Sequence, residues 1–317
     1  MISTVVGSYP VTIKPPTLKN KLFNAIGFYD KYKPAIEHSV KSQIKAGIDI
    51  ISDGQVRGEM VESFVKFIPG CKIEENTCVI NSKIISPSQK IGVKDLKLAI
   101  KYMEKEFDEL AMSSQDKKKK GVKGIITGPS TLIQSSQLGP IYKNKDIAII
   151  DMANALKSEA IALEKAGAKI VQIDEPFLST GLINMEIAKE AIDIISKDLA
   201  VPVAIHCCGD IKNIFSDLID FNVDIIDCEF AGQSTNFDVL DSYSTNLKGK
   251  KIGLGVVDTK KSSVESVEEI AKGIEKGLDI VSDKNLFISP DCGLRLFSDE
   301  IAFSKLKNMV EAMKLFN

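Results

Sequence analysis

Val201-Pro202-Val203-Ala204-Ile205-His206-Cys207-Cys208-Gly209-Asp210 is a short apolar run that stops at an imidazole and two adjacent thiols. A run of this length bounded by turn residues reads as a strand buried on both faces. Side chains alternate across a strand, so His206 and Cys208 share one face and Cys207 takes the other. That makes His-x-Cys a half-site for a metal ion.

Tetrahedral zinc needs two further donors. Two later stretches have the same form: Val223-Asp224-Ile225-Ile226-Asp227-Cys228-Glu229 and Leu286-Phe287-Ile288-Ser289-Pro290-Asp291-Cys292-Gly293. Donors at the ends of three strand-like runs suggest a site assembled from separate parts of the chain. Each cysteine is equally readable as a small buried apolar residue, and spacing alone does not choose.

Five more runs of the same kind precede or separate these three. The predicted strands are Thr4–Val6, Ile48–Ile51, Gly124–Thr127, Ile170–Ile173, Val201–Ile205, Val223–Ile226, Lys251–Val256 and Leu286–Ile288. Stretches of helical period lie between most of them: Pro34–Ala46, Leu96–Leu110, Ile147–Ala166, Met185–Ser196, Ile211–Asp220 and Ser266–Gly277, with Glu300–Leu315 closing the chain. Strand alternating with helix predicts a parallel sheet. Eight such units predict an α/β fold of the (β/α)8 TIM-barrel type, in one domain over residues 1–317, with its site at the C-terminal strand ends. Gly7-Ser8, Asp53-Gly54-Gln55, Gly128-Pro129-Ser130, Asp174-Glu175, His206 with Cys208, Glu229, Asp258 and Asp291-Cys292 all follow an apolar run. A doubly wound open sheet is the alternative, but no Gly-x-Gly-x-x-Gly follows the first strand.

One segment breaks the rhythm. Lys66–Pro87 carries Cys71-Lys72-Ile73 and Cys78-Val79-Ile80 around Glu74-Glu75-Asn76, which reads as a hairpin inserted between strands 2 and 3. Cys71 and Cys78 show no partner. Lys117–Lys120 reads as a solvated loop. His38 falls within a helical stretch, as a surface or core residue.

A hydrophobic fraction of 44%, a charged fraction of 26% and a net charge of −2 are those of an ordinary globular protein, with no electrostatic case for nucleic acid or an anionic membrane. Six cysteines in 317 residues make no disulfide framework, and Met1-Ile2-Ser3-Thr4 lacks a secretory pattern, so a cytoplasmic location is expected. No apolar stretch approaches the roughly 20 residues of a membrane span.

With the strand ends aligned, the sequence resembles the catalytic domain of cobalamin-independent methionine synthases, particularly the short single-domain archaeal type. The resemblance is carried by Val6-Gly7-Ser8-Tyr9-Pro10, Asp53-Gly54-Gln55 with Glu59-Met60-Val61-Glu62, Gln172-Ile173-Asp174-Glu175-Pro176, His206-Cys207-Cys208, Asp227-Cys228-Glu229 and Pro290-Asp291-Cys292-Gly293-Leu294-Arg295. It implies zinc held by His206, Cys208, Glu229 and Cys292, leaving Cys207 and Cys228 as packing residues. It also implies a site for L-homocysteine, its carboxylate at Val6-Gly7-Ser8 and its ammonium at Asp174. Gln55 stands where longer relatives carry a glutamate for the same ammonium. The chemistry agrees with this ligand set, because zinc strips the proton from a coordinated thiol and a weakly held carboxylate gives the substrate a position to take.

The long members of that family take their methyl group from polyglutamylated methyltetrahydrofolate, with help from a tryptophan, a glutamate beyond the Asp-Glu-Pro motif and a proton-donating histidine. Here there is no tryptophan, the loop reads Phe177-Leu178-Ser179-Thr180, and Asp258 or Lys260 stands in the region of that histidine. No counterpart of their N-terminal half is present. The expected donor is therefore a corrinoid, free or on a corrinoid protein, since cobalt leaves without a proton, with a methylated tetrahydromethanopterin next. An alternative activity is methyl transfer to another thiol such as coenzyme M, which has less use for Asp174. A purely structural zinc fits poorly with a glutamate ligand at a barrel mouth.

Overall fold

The computed structural model describes residues 1–11, 30–75 and 77–316. Among these, β1 (Ile2–Ser3), β2 (Ile50–Ile51), β3 (Cys71–Glu74), β4 (Thr77–Ile80), β5 (Gly121–Thr127), β6 (Ser136–Leu138), β7 (Ile170–Asp174), β8 (Val203–Cys207), β9 (Ile225–Glu229), β10 (Lys251–Val257) and β11 (Leu286–Pro290) are extended. Eight of them form one parallel sheet in the order β1-β11-β10-β9-β8-β7-β5-β2. A parallel bridge between Thr4 and Ile50 joins its two edges, so the sheet closes into a TIM barrel.

The strands β7, β8, β9 and β11 are buried along their whole length, as the continuous apolar runs require of strands covered on both faces. Several continue past the apolar run into the polar residues, because the ladder needs only backbone groups. Val201-Pro202 stays outside β8, since proline has no N–H to give. Ile2, Ile50, Ile170, Ala204, Ile225 and Phe287 form an apolar floor inside the barrel. Above it, register sets the polar strand ends side by side: Thr127 pairs with Asp174, Asp174 with His206, and His206 with Asp227.

The first strand is displaced from its predicted place. Ile2 and Ser3 pair with β11, whereas Val5 and Val6 lie beyond the ladder and their carbonyls are taken by side chains instead. A buried carbonyl must find a donor somewhere, and here the donors are Lys123 and Gln172.

The helices that the periodicity predicts are present as Lys33–Ala46, Val93–Glu109, Lys145–Lys165, Met185–Ser196, Val267–Ile280 and Asp299–Lys314, whereas the stretch Ile211–Asp220 is helical only over Phe215–Ile219. The expected hairpin is β3 paired antiparallel with β4, and β6 adds a third strand alongside β4 that the sequence did not suggest. Cys71 and Cys78 lie on the two paired strands of that hairpin, diagonal to one another, with Cys71 opposite Ile80 and Cys78 opposite Ile73. The lysine run is not a free loop: Lys117–Lys119 end a short helix capped by Ser113, and Lys120 Nζ donates to the carbonyls of Gly47 (3.0 Å) and Ile48 (2.9 Å). His38 is an exposed partner of Asp299 Oδ1 at 2.6 Å.

Candidate metal centre and adjoining cavity

The end of β8 and the turn after β11 bring one imidazole and two thiols together. The donor atoms of His206, Cys208 and Cys292 all lie within 4.8 Å of one another. Cys207, between His206 and Cys208, and Cys228, next to Glu229, turn outward into the apolar core, as strand alternation demands.

His206 is held by its other nitrogen. Nδ1 lies 2.7 Å from Asp227 Oδ2, and Asp227 Oδ1 accepts from the Ser289 hydroxyl at 2.8 Å. A carboxylate can only accept, so the proton sits on Nδ1 and Nε2 is free to present its lone pair. Nε2 is fully buried and has no hydrogen-bond partner. An orphaned buried nitrogen is costly unless something fills its coordination. The backbone leaves room for this pairing only because residue 253, beside Asp227, is glycine: any Cβ there would collide with the Asp227 carboxylate.

The site is electronegative without a cation. Burial opposes a charge on His206, yet the Asp227 carboxylate and the Cys292 thiol outweigh it and raise its pKa; a metal ion at Nε2 would take the place of that second proton and meet the same negative surroundings. The Cys292 thiol is pushed far up, first by its bond with Cys208 and then by burial. Two thiols this close cannot both ionise without a positive charge between them. One buried imidazole nitrogen and two sulfurs fit a borderline-soft divalent ion such as zinc.

Glu229, expected as the fourth ligand, lies outside this three-donor cluster. Its Oε1 is paired with Lys260 Nζ, and its Oε2 accepts from the Gly209 N–H at 3.0 Å. The loop after it is fixed by Asp291, whose carboxylate accepts from the N–H groups of Phe230 (3.0 Å), Ala231 (3.0 Å) and Gly232 (2.6 Å). Burial nevertheless pushes the Asp291 carboxyl up to about 7.

The three donors open on a cavity of about 230 Å³ that Val6, Ser8, Gln55 and Asp174 also line. That is below the roughly 300–1,000 Å³ of sites for drug-sized ligands, so it suits a small molecule. Leu294 N donates to Ser8 O at 2.8 Å, which ties the Gly7-Ser8 turn to the loop carrying Cys292. Gly293 leaves room there for the Ser8 hydroxyl, which a Cβ at that position would displace. Gly7 is equally constrained, its α-carbon lying under the Gln55 amide. Gln55 itself sits at φ +46°, a left-handed backbone that non-glycine residues rarely adopt.

The two carboxylates after β7 divide their work. Asp174 faces the cavity, with Oδ1 accepting from Gln172 Nε2 at 2.7 Å, and burial raises its pKa. Glu175 turns away and accepts from Ser130 N (2.9 Å), Thr131 N (2.8 Å) and Thr131 Oγ1 (2.7 Å), capping the helix Pro129–Gln134.

Asp258 and Lys260, the expected acids, are not among the residues that line the cavity. Asp258 accepts from the Lys260 N–H at 2.8 Å and pairs with Lys261 at 2.9 Å. Burial would raise its pKa, but those donors outweigh it and hold the carboxyl below its ordinary value, so it has no proton to give at neutral pH. Asp227, Ser289 and Lys123 had drawn no role from the sequence. Asp227 was findable, since it lies two residues before Glu229 on the same strand face. Lys123 was hidden by its charge, which set the start of the predicted strand at Gly124, three residues after the observed start at Gly121.

No helix of the described residues is long and apolar enough to cross a membrane. Residues 1–315 match a family described as the catalytic domain of cobalamin-independent synthase. The chain is 49% identical over 315 residues to methionine synthase of Methanothermobacter thermautotrophicus, covering 98% of this chain and 99% of that one. It is 44% identical over 326 residues to methionine synthase of Methanocaldococcus jannaschii, covering 99% of each. Among solved structures it resembles a B12-independent methionine synthase from Shewanella sp. W3-18-1 in complex with selenomethionine, with a TM-score of 0.81, 22% identity and coverage of 99% and 97%.

Proposed function

The chain belongs to the cobalamin-independent methionine synthase family and is a methyltransferase, and from that premise we propose that it methylates the thiol of L-homocysteine to give L-methionine, as one barrel domain acting in the cytoplasm. The observation that carries this reading is the convergence of three soft donors on a small cavity that Asp174 and the Val6-Gly7-Ser8 turn also border. His206, Cys208 and Cys292 would hold zinc, with Glu229 as fourth donor once it leaves Lys260. A zinc ion there supplies the positive charge that keeps a substrate thiol deprotonated and nucleophilic at neutral pH.

The chain's own residues do the rest. Asp174 has acceptor capacity beyond its one bond from Gln172 and takes the substrate ammonium. Ser8 and the backbone of its turn take the carboxylate, while Gln55, locked in position by its neighbours, closes the wall beside them. Converting the nucleophilic attack into a nearly unimolecular step is what this positioning contributes.

The methyl donor follows from what the cavity lacks. Neither Asp258 nor Lys260 is among the residues lining the cavity, and Asp258 is held deprotonated, which favours a donor whose leaving group needs no proton. We therefore assign a methyl-corrinoid, free or protein-borne, ahead of methyl-tetrahydromethanopterin. Incubating zinc-loaded protein and homocysteine with methylcobalamin, methyl-tetrahydromethanopterin or methyltetrahydrofolate triglutamate tests this. Turnover is expected with methylcobalamin, and turnover with the folate alone would overturn the assignment.

Two substitutions probe the thiol substrate and the fourth ligand. Asp174→Asn removes the charge that meets the ammonium and is expected to raise KM for homocysteine roughly 10- to 100-fold, the worth of a hydrogen bond to a charged group. Unchanged homocysteine kinetics would point to a thiol without an amino group, such as coenzyme M. Lys260→Met frees Glu229 from a pair whose lysine side chain is 64% exposed. Such a pair is worth up to about 1 kcal/mol, so zinc should bind a few-fold more tightly in a chelator competition. Unaltered affinity would place Glu229 outside the ligand set.

A further inference from the structure

Lys123 is 4% exposed and lies in the barrel interior, where an ammonium is expensive unless it is fully engaged. Its Nζ donates to the Val5 carbonyl at 2.6 Å and to Gln172 Oε1 at 2.6 Å. Gln172 in turn spends both amide N–H groups, on the Val6 carbonyl at 2.8 Å and on Asp174 Oδ1 at 2.7 Å. None of these five residues lies in the metal cluster.

The donor and acceptor inventory allows only one arrangement of this relay. An ammonium has no acceptor, so the oxygen of the Gln172 amide must face Lys123. The nitrogen then faces two acceptors, the Val6 carbonyl and the Asp174 carboxylate, and satisfies both. Turned the other way, the amide would set its NH2 against the ammonium and its oxygen against a carboxylate. The lysine at one end and the two acceptors at the other therefore fix together which way the glutamine points. Both ends of the relay reach residues that border the cavity, Val6 and Asp174.

We propose that Lys123 is a positioning residue for amino-acid recognition: through Gln172 it fixes the Asp174 carboxylate and the Val6 carbonyl in the orientation that receives an α-ammonium-bearing thiol. This rests on the reading of homocysteine as substrate. Burial lowers the Lys123 pKa to about 8, with Asp227 and Asp174 opposing that fall, so the group remains charged at neutral pH.

The test is calorimetric binding of two thiols to the zinc-loaded protein: homocysteine, and 4-mercaptobutanoate, which is homocysteine without its amino group. Lys123→Met should raise the Kd for homocysteine about 10-fold or more, with the Kd for 4-mercaptobutanoate and the zinc content unchanged. Gln172→Met, which cuts the same relay one link nearer the ligand, should do likewise, and serves if the lysine variant does not fold. In an Asp174→Asn background, Lys123→Met should cost homocysteine affinity little more, because the two act through one carboxylate. An unchanged homocysteine Kd, or equal weakening of both thiols, would overturn the role of Lys123. A wild-type protein that binds the two thiols equally would instead overturn the homocysteine reading itself.

Discussion

Cys292→Ser is expected to abolish both zinc retention and methyl transfer to homocysteine. The donor atoms of His206, Cys208 and Cys292 stand within 4.8 Å of one another, and no other described His, Cys, Asp or Glu joins that cluster. Exchanging thiol for hydroxyl removes one of two sulfurs and leaves a hard, protonated oxygen that zinc takes poorly. The loss should exceed the roughly 10- to 100-fold cost of removing a group that only supports a ligand. Metal analysis after dialysis and a homocysteine methylation assay read it directly. Cys207→Ser makes the same chemical change one position from Cys208, on the outward face, where it should lower stability while zinc remains at one per chain. If the two variants retained zinc alike, the assignment of the inward cysteines would fall.

Asp227→Asn should weaken zinc binding by roughly 10- to 100-fold, the range for a partner that orients a histidine ligand. The change is nearly isosteric, so the barrel is retained. What it removes is the acceptor that holds the His206 proton on Nδ1 and keeps Nε2 aimed at the two thiols. An asparagine nitrogen placed there would favour the opposite tautomer. Competition with a chromogenic chelator measures the effect, and an affinity equal to that of the parent protein would remove Asp227 from this role. Gly253→Ala offers a second route to the same defect, since its methyl group would displace the carboxylate from the barrel interior.

The difference between His206 and Lys123 shows how far a linear reading reaches. His206 ends an apolar run in company with Cys208, and alternation alone puts the two side chains on one face. Lys123 occupies an equally buried interior position, but a charge inside an apolar run reads as the run's boundary. Nothing local reveals that its ammonium will meet the carbonyl of Val5, 118 residues away, and an amide on the neighbouring strand. The same holds for Asp174 and Glu175: adjacent acids in the sequence, they become a cavity wall and a helix cap because the strand ends between them and the chain turns.

From the sequence by itself came the alternation of eight apolar runs with helical stretches, the placement of polar residues after those runs, and the pairing of His206 with Cys208. These are periodic or nearest-neighbour properties, set by the pitch of the backbone and legible in one dimension. Tertiary structure alone decided that Glu229 rests on Lys260, that Asp227 holds His206, and that Asp258 is tied into a turn. Each of those outcomes depends on which distant groups share one small, poorly solvated space. There a charge takes whichever partner the closed barrel brings within reach.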